Sequence, residues 1–531
     1  MKRLVQINTL LLALVVLIAS CSKKLERFPP NSLTSRDVYK DEAGYFSVLA
    51  KVYGSMALTG NAGGAGAGDV AGIDEGTSDF LRLFWKAQEL STDEAVVAWN
   101  DPGIQDFHNM NWAPANPMLK GLYFRCIYII TLSNEFIRES AAATVSSRGI
   151  TGASAENVKR MRAEARFVRA FAYWVLMDLY ANPSFTTDAD GIGKFNPPQT
   201  SRAQLFTYIE NELKAIEADL PNARTSDYGR ADKAATWSLL ARMYLNAQVY
   251  ISQNKFTDAV TYSKRVIDAG YSLLDNSNGT GYQWLFQADN NVSNPEFIWT
   301  LNYDGARTQN FGGTTFLVNA SVGGDMDRTV SGLGGWGGIR TTKNLPLLFP
   351  DFTGTADKRG MFTQGSQTLD IASISEFKNG LAVTKYRNRT RSGGFGADAT
   401  RTFADIDFPV FRLAEMYLIY AEAVKRGGSG GTEAQAVVYL NALRSRARVT
   451  AGNIGSYSLD YILDERAREL YWEGFRRSDL IRYNRFTEGT YLWPWKGGVA
   501  NGTGVSDIRK IYPIPDSELA ANPNMKQNNG Y

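Results

Sequence analysis

Cysteine is nearly missing from this chain: Cys21 and Cys126 are the two in 531 residues, too few for a disulfide framework. Histidine is rarer still. The lone His108 excludes zinc sites built on several imidazoles and any second Ser-His-Asp set. Charge of one sign is also lacking, with 57 Lys plus Arg against 54 Asp plus Glu. The net +3 falls to +1 once the two N-terminal positives Lys2 and Arg3 are set aside, so there is no electrostatic footprint for nucleic acid or an anionic surface. No H-E-x-x-H, C-x-x-C or G-x-x-x-x-G-K-[ST] pattern occurs, and the one formal G-x-S-x-G, Gly427-Gly428-Ser429-Gly430-Gly431, is a glycine link between helical stretches rather than a strand-to-helix elbow, which removes the metalloprotease, redox, phosphate-loop and common nucleophile chemistries. Two acids at the right separation suffice for glycoside hydrolysis. With so many carboxylates, a secreted glycoside hydrolase stays open as an alternative.

Long apolar runs are missing too. The longest, Leu10 to Ala19, has ten residues, whereas a membrane-spanning helix needs about 20. Behind Lys2 and Arg3, and before the small residues of Ile18-Ala19-Ser20-Cys21, it reads as an export signal over 1–20. Ile18-Ala19-Ser20-Cys21 resembles the lipobox of bacterial lipoproteins, in which the cysteine becomes the lipid-bearing first residue. An ordinary secretory signal is the alternative. Residues 21–35, with Pro29-Pro30, then form a tether.

What is plentiful is helical patterning. In VKRMRAEARFVRAFAYWVLMDLYANP, Met161, Ala165, Val168, Ala172, Val175 and Leu179 recur at spacings of three and four before Asn182-Pro183, predicting one long amphipathic helix from Val158. Ser201 caps a second helix, with a stripe of Leu205, Ile209, Leu213, Ile216 and Leu220. Trp237-x-x-Leu240-Ala241-x-x-Tyr244 followed by Phe256-x-x-Ala259-x-x-Tyr262 matches a tetratricopeptide helix pair. A further pair is read in 408–427 and 432–449, joined by Gly427-Gly428-Ser429-Gly430-Gly431. Residues 271–400 differ, holding 19 of the 49 glycines with scattered aromatics; they predict an irregular region, with few short strands, carried on a helical scaffold. The glycine-rich 60–72 contains Gly66-x-Gly68-x-x-Ala71, but without a preceding strand it reads as a loop rather than a dinucleotide site.

Two stretches are candidates for function. In DERARELYWEGFRRSDLIRYNRF, 464–486, Glu465, Glu469 and Glu473 fall at i, i+4 and i+8 ahead of Arg476, Arg477 and Arg482. This reads as a structural helix laced by Glu–Arg pairs, with an anion site or a catalytic carboxylate stripe as the alternative. STDEAVVAWNDPGIQDFHNMNW, 91–112, sets Trp99 beside Asn100 and Asp101 before a Pro-Gly turn. An indole face stacks on the apolar face of a sugar while amide and carboxylate bond its hydroxyls. Trp336, in SGLGGWGGIR, has glycine on both sides, which leaves its ring free to face a ligand.

RMRAEARFVRAFAYWVLMDLY at 160–180, FPVFRLAEMYLIYAEAVKRG at 408–427, DERARELYWEGFRRSDLIRY at 464–483 and the ending YPIPDSELAANPNMKQNNGY, in that order behind a lipobox, resemble the SusD/RagB family of outer-membrane glycan-binding lipoproteins. STDEAVVAWNDPG and GGWGGIRTTKNLPLLF look like its starch- and fructan-binding branch. The resemblance implies a mainly α fold of tetratricopeptide-like helix pairs under an irregular ligand-binding region. It makes 36–531 a single domain with parts 36–270, 271–405 and 406–531. It implies no catalysis and no cofactor, a lipid anchor at Cys21, and an outer-membrane, cell-surface location. The implied partners are a glycan and a SusC-type TonB-dependent transporter; a peptide-binding helical scaffold is a further alternative. Site residues follow by neighbourhood: Trp99, Asn100 and Asp101 first, Trp336 second, then Tyr303, Trp112 and Arg340. Asp325-Met326-Asp327 is too sparse for a calcium loop. After Cys21 the sequence Ser22-Lys23-Lys24-Leu25-Glu26 is mainly basic, where surface-exported members often carry acids.

Overall fold

The computed structural model describes residues 34–531 except 62, 65–67, 75, 192, 194 and 364. The export signal, Cys21 and most of the tether lie outside the described residues, as does part of the G-x-G-x-x-A stretch.

Helices carry the molecule: α1 Glu42–Ala57, α2 Phe80–Glu89, α3 Pro117–Glu139, α4 Gly152–Tyr180, α5 Arg202–Ile216, α6 Lys233–Leu245, α7 Phe256–Ile267, α8 Gly313–Ser321, α9 Leu413–Lys425, α10 Glu433–Arg446, α11 Leu459–Leu470 and α12 Arg476–Arg482. Their starts are chemically marked. Asp79 accepts the Arg82 N–H at 2.7 Å ahead of α2, Asn116 accepts those of Met118 and Leu119 ahead of α3, which opens on a proline, and Ser201 with Gln204 forms a capping box for α5. The long amphipathic pattern is α4, which begins earlier than Val158, at Gly152. The faces of α6 and α7 meet through Tyr244 and Tyr262, rings 5.5 Å apart. Those of α9 and α10 meet through Tyr417 and Tyr439, stacked at 4.4 Å. The glycine link between α9 and α10 is packed rather than free: a Cβ on Gly428 would lie 2.7 Å from the Phe256 carbonyl oxygen.

Strands are short and come in antiparallel pairs: β1 Val96–Val97 with β3 Ile339–Arg340, β2 Phe297–Leu301 with β6 Phe408–Arg412, and β4 Phe362–Thr363 with β5 Ala382–Val383. The segment 408–427, read as one helix, is therefore corrected to a strand followed by a helix. Pro409 has no N–H for a helix, and Phe, Val and Phe around it favour a pleated strand. The 464–486 stretch also breaks, because Trp472 and Gly474 take positive φ (64° and 82°) between α11 and α12. One hydrophobic core joins helices and irregular region, from Tyr45 and Leu49 through Phe171, Trp299 and Phe411 to Ile514. Among the described residues no helix is long and apolar enough to cross a membrane.

Candidate functional site

The β1–β3 ladder brings the two tryptophan loops together. Val96 pairs with Arg340 and Val97 with Ile339, and the Ala98 N–H extends the ladder to the Gly338 carbonyl at 2.8 Å. One residue on, the Trp99 indole N–H donates to the Gly337 carbonyl at 3.0 Å. This approach needs Gly338, since a Cβ there would overlap the indole of Trp99. Trp336 is held by its backbone: Gly335 and Gly337 have φ of 80° and 61°, the Trp336 N–H donates to the Asn319 carbonyl at 2.6 Å, and Asn319 Oδ1 accepts the Gly335 N–H at 2.9 Å. The residue is 40% exposed.

Trp99 and Trp336 are 6.4 Å apart, tilted by 46°. The strip continues through Phe311, 6.3 Å from Trp336 at 56°, to Phe403, 5.3 Å further at 42°. Successive faces thus turn relative to one another. Buried Phe316 of α8 lies beneath, 6.3 Å from Trp99. Asn100 and Asp101 are exposed beside Trp99, in a turn closed by the Ile104 N–H on the Asp101 carbonyl.

Sequence reasoning missed the cations. Arg82 lies over Phe316 at 4.8 Å and over Trp336 at 5.8 Å, and donates to the Phe311 carbonyl at 2.9 Å. Its Nε is buried without an acceptor. Burial lowers its pKa, opposed by the nearby carboxylates Asp79, Asp101 and Asp74. One turn on, buried Lys86 lies 5.5 Å over Phe316 and donates to Met118 Sδ at 3.6 Å. Burial and the neighbouring Arg82 push its pKa well down, opposed by Asp101 and Asp74. The available signal was Arg82 and Lys86 at i and i+4 in a stretch, Phe80 to Ala87, that is otherwise apolar.

Three expected ligand residues are instead interior. The Trp112 indole donates to the Tyr531 hydroxyl at 2.6 Å and packs 4.7 Å from Tyr512, so it belongs to the docking of the C-terminus. Tyr303 is buried, with its N–H on Asp407 at 2.7 Å and its ring where a Cβ on Gly313 would be. Arg340 is fully buried, its guanidinium spent on the carbonyls of Asn379 and Ile374, both at 2.7 Å; burial lowers its pKa to about 10. All three act as supports, not contacts. Asp325 and Asp327 are satisfied locally by Ser366 and Thr329, and among the described residues no group of three or more His, Cys, Asp or Glu converges on a metal position.

An exposed and a half-buried indole with exposed amide and carboxylate groups beside them suit a neutral polyhydroxy ligand with apolar faces. The chain is 34% identical to the starch-binding protein SusD of Bacteroides thetaiotaomicron, over 97% of its own length and 96% of that protein's. The chain belongs to the SusD family. A SusD family model matches residues 359–531, and a model described as starch-binding and associating with the outer membrane matches residues 128–245. The fold recurs in surface glycan-binding protein A of Bacteroides thetaiotaomicron in complex with laminarihexaose (TM-score 0.69, 20% identity, covering 92% of this chain and 99% of that one). It recurs again in a laminarin-binding SusD-like protein (TM-score 0.68, 22% identity, 93% and 100%). The relatives are named as binding proteins and the family is a non-catalytic one, so the glycoside hydrolase alternative falls away.

Proposed function

We propose that this protein captures an oligosaccharide or polysaccharide on the Trp99–Trp336 strip and delivers it to a SusC-type TonB-dependent outer-membrane transporter, over which it sits as a lid. The observation that carries the capture step is the convergence of the two indoles, from loops far apart in sequence, at 6.4 Å. Trp99 and Trp336 stack on sugar faces, and Asn100 and Asp101 orient hydroxyls. A starch-type glucan is the ligand favoured by the identity to SusD, and the turning of faces along Trp99, Trp336, Phe311 and Phe403 suits a chain that curves rather than a flat ribbon. Cys21 anchors the lid through lipid, with residues to 35 as tether, 36–531 as one domain facing the cell surface, and the helix pairs as its tetratricopeptide-like frame.

Native gels containing starch or laminarin test capture. Starch should retard the wild type more than laminarin does, and Trp99→Ala should migrate as in a glycan-free gel with its unfolding midpoint unchanged; unaltered retardation of that variant would move the site elsewhere. Delivery is tested by copurification of a large outer-membrane partner, and Cys21→Ala should shift the protein from the membrane to the soluble fraction.

A further inference from the structure

Beyond Trp336 the line of rings leaves the hydrophobic core. Among the described residues Trp99 packs against that core, but neither Phe311 nor Phe403 belongs to it or packs against it. Both are half-buried, and their rings meet each other at 5.3 Å and 42°. Core burial therefore does not account for this pair, and apolar rings left at a surface mark a place where something apolar lands.

Phe403 is fixed through its main chain. Buried Asp398 accepts the Thr400 and Thr402 N–H groups at 2.9 and 2.8 Å and that of Phe403 at 3.0 Å, closing residues 398–403 around one carboxylate. Arg401, at the tip of this loop, takes φ of 56° and lays its guanidinium on the Phe395 ring, 3.6 Å from the centroid. Next along the chain, the Ala404 N–H donates to Thr315 Oγ1 at 2.9 Å, and Thr314 Oγ1 donates to the Ile406 carbonyl at 2.7 Å. Both threonines stand at the start of α8, the helix whose Asn319 holds the Trp336 loop. One helix turn, about 6 Å of rise from residue 315 to 319, thus spaces the anchor of Phe403 from that of Trp336. Gly64 lies at the tip of the Phe403 ring, where a Cβ would come within 2.7 Å of Cζ. The Thr400 and Thr402 hydroxyls, 2.9 Å apart, sit on the same loop.

The geometry points to Phe403 as a further platform that stacks on a sugar further along the chain than those on the two indoles, and so makes affinity depend on chain length. The inference rests on the reading of Trp99 and Trp336 as the glycan platform. A pyranose ring of the same glycan is the occupant: its apolar face meets Phe403, and its edge hydroxyls meet Thr400 and Thr402. A short oligosaccharide is held by the indoles alone. A longer one reaches the phenylalanine, which α8 keeps at a set distance and which costs little ordering on binding.

Titration calorimetry of the full chain with maltotriose and maltoheptaose tests this, and laminaritriose and laminarihexaose repeat it so that no linkage is assumed. Wild type should bind the longer chain more tightly. Phe403→Ala should remove that preference by weakening the longer chain about tenfold, whereas Trp99→Ala should lose both chains. Phe403→Tyr keeps the stacking face and should retain the preference; Phe403→Leu keeps apolar bulk without that face and should behave as Phe403→Ala. A preference that survives in Phe403→Ala or Phe403→Leu overturns the inference and leaves Phe403 as a cover for Gly64, with the platform reading of Trp99 untouched. Should Phe403→Ala fail to fold, the Leu and Tyr variants carry the same comparison. Wild type that binds none of the four oligosaccharides ends the platform reading itself, and this extension with it.

Discussion

At Gly338 a missing side chain sets the geometry of the site. A Cβ there would overlap Trp99, whose indole bonds the carbonyl of Gly337, whereas a Cβ at Gly334 would meet nothing within 4 Å. Gly338→Ala should lower glycan affinity about tenfold, ~1.4 kcal/mol, while Gly334→Ala should leave it unchanged; titration calorimetry with a maltooligosaccharide compares the two. Trp336→Ala should cost at least as much, because among the described residues the other ring beside Trp99, Phe316, is buried. These two indoles were legible in the sequence because their neighbours are glycine or polar, which argues against burial in the core. The same reasoning misplaced Trp112, Tyr303 and Arg340, since closeness along the chain does not tell which side chains meet across it. Tyr531 caps Trp112 from the far end of the chain, and the carbonyls that saturate Arg340 come from a loop with no motif. Arg82 escaped for the opposite reason, sitting in a helix that reads as core.

Helix α11 shows how far local spacing reaches. Glu465 and Glu469 do lie on one helix and serve structure, but their partners are mostly distant. Glu469 accepts from Arg412 at 2.6 Å, from Arg359 at 3.2 Å and from Arg446. Glu296 accepts from Arg412 and Arg446 at 2.9 and 3.0 Å, and Glu473, beyond the helix end, accepts from Lys385 and Arg412 at 2.7 Å. All of these side chains are buried. Burial opposes ionisation of Glu469, but Arg446, Arg412 and Arg359 outweigh it and hold its pKa at about 2. Acids spaced by four residues announced a helix; nothing local announces that the cations arrive from a loop, a strand and another helix. Removing one member strands the rest without compensation. Glu469→Ala should therefore destabilise the fold by about 3–5 kcal/mol, read as a lower midpoint in guanidinium unfolding, whereas Glu433→Ala, at an exposed pair with Lys425, should stay within about 0.5 kcal/mol.

Across the whole molecule that ion cluster ties the irregular region to the helices. β2 pairs with β6, which runs straight into α9; Arg359 joins the loop after residue 350 to α11; and Tyr282 of the irregular region donates to the Glu469 carbonyl at 2.7 Å. Peeling the irregular region away would part Arg359 from Glu465 and Glu469, Lys385 from Glu473, and Glu296 from Arg412 and Arg446, so it should not melt first. Calorimetry should show one endotherm whose van't Hoff and calorimetric enthalpies agree, and two resolved peaks would contradict this. The sign of the acid response follows from the same charges. Glu469 and Glu422 both have folded pKa values of about 2; burial raises each, but the arginines around it, Arg482 foremost for Glu422, lower it further. A depressed carboxylate contributes stability that is fully present above its unfolded value, about 4.3, and is lost as pH falls toward the folded one. The guanidinium midpoint should therefore hold steady down to about pH 5 and fall steeply between about pH 4.5 and about pH 2. Glu469→Gln, already neutral there, should start lower and fall less, and an equal acid slope in the two proteins would place the acid sensitivity outside the cluster.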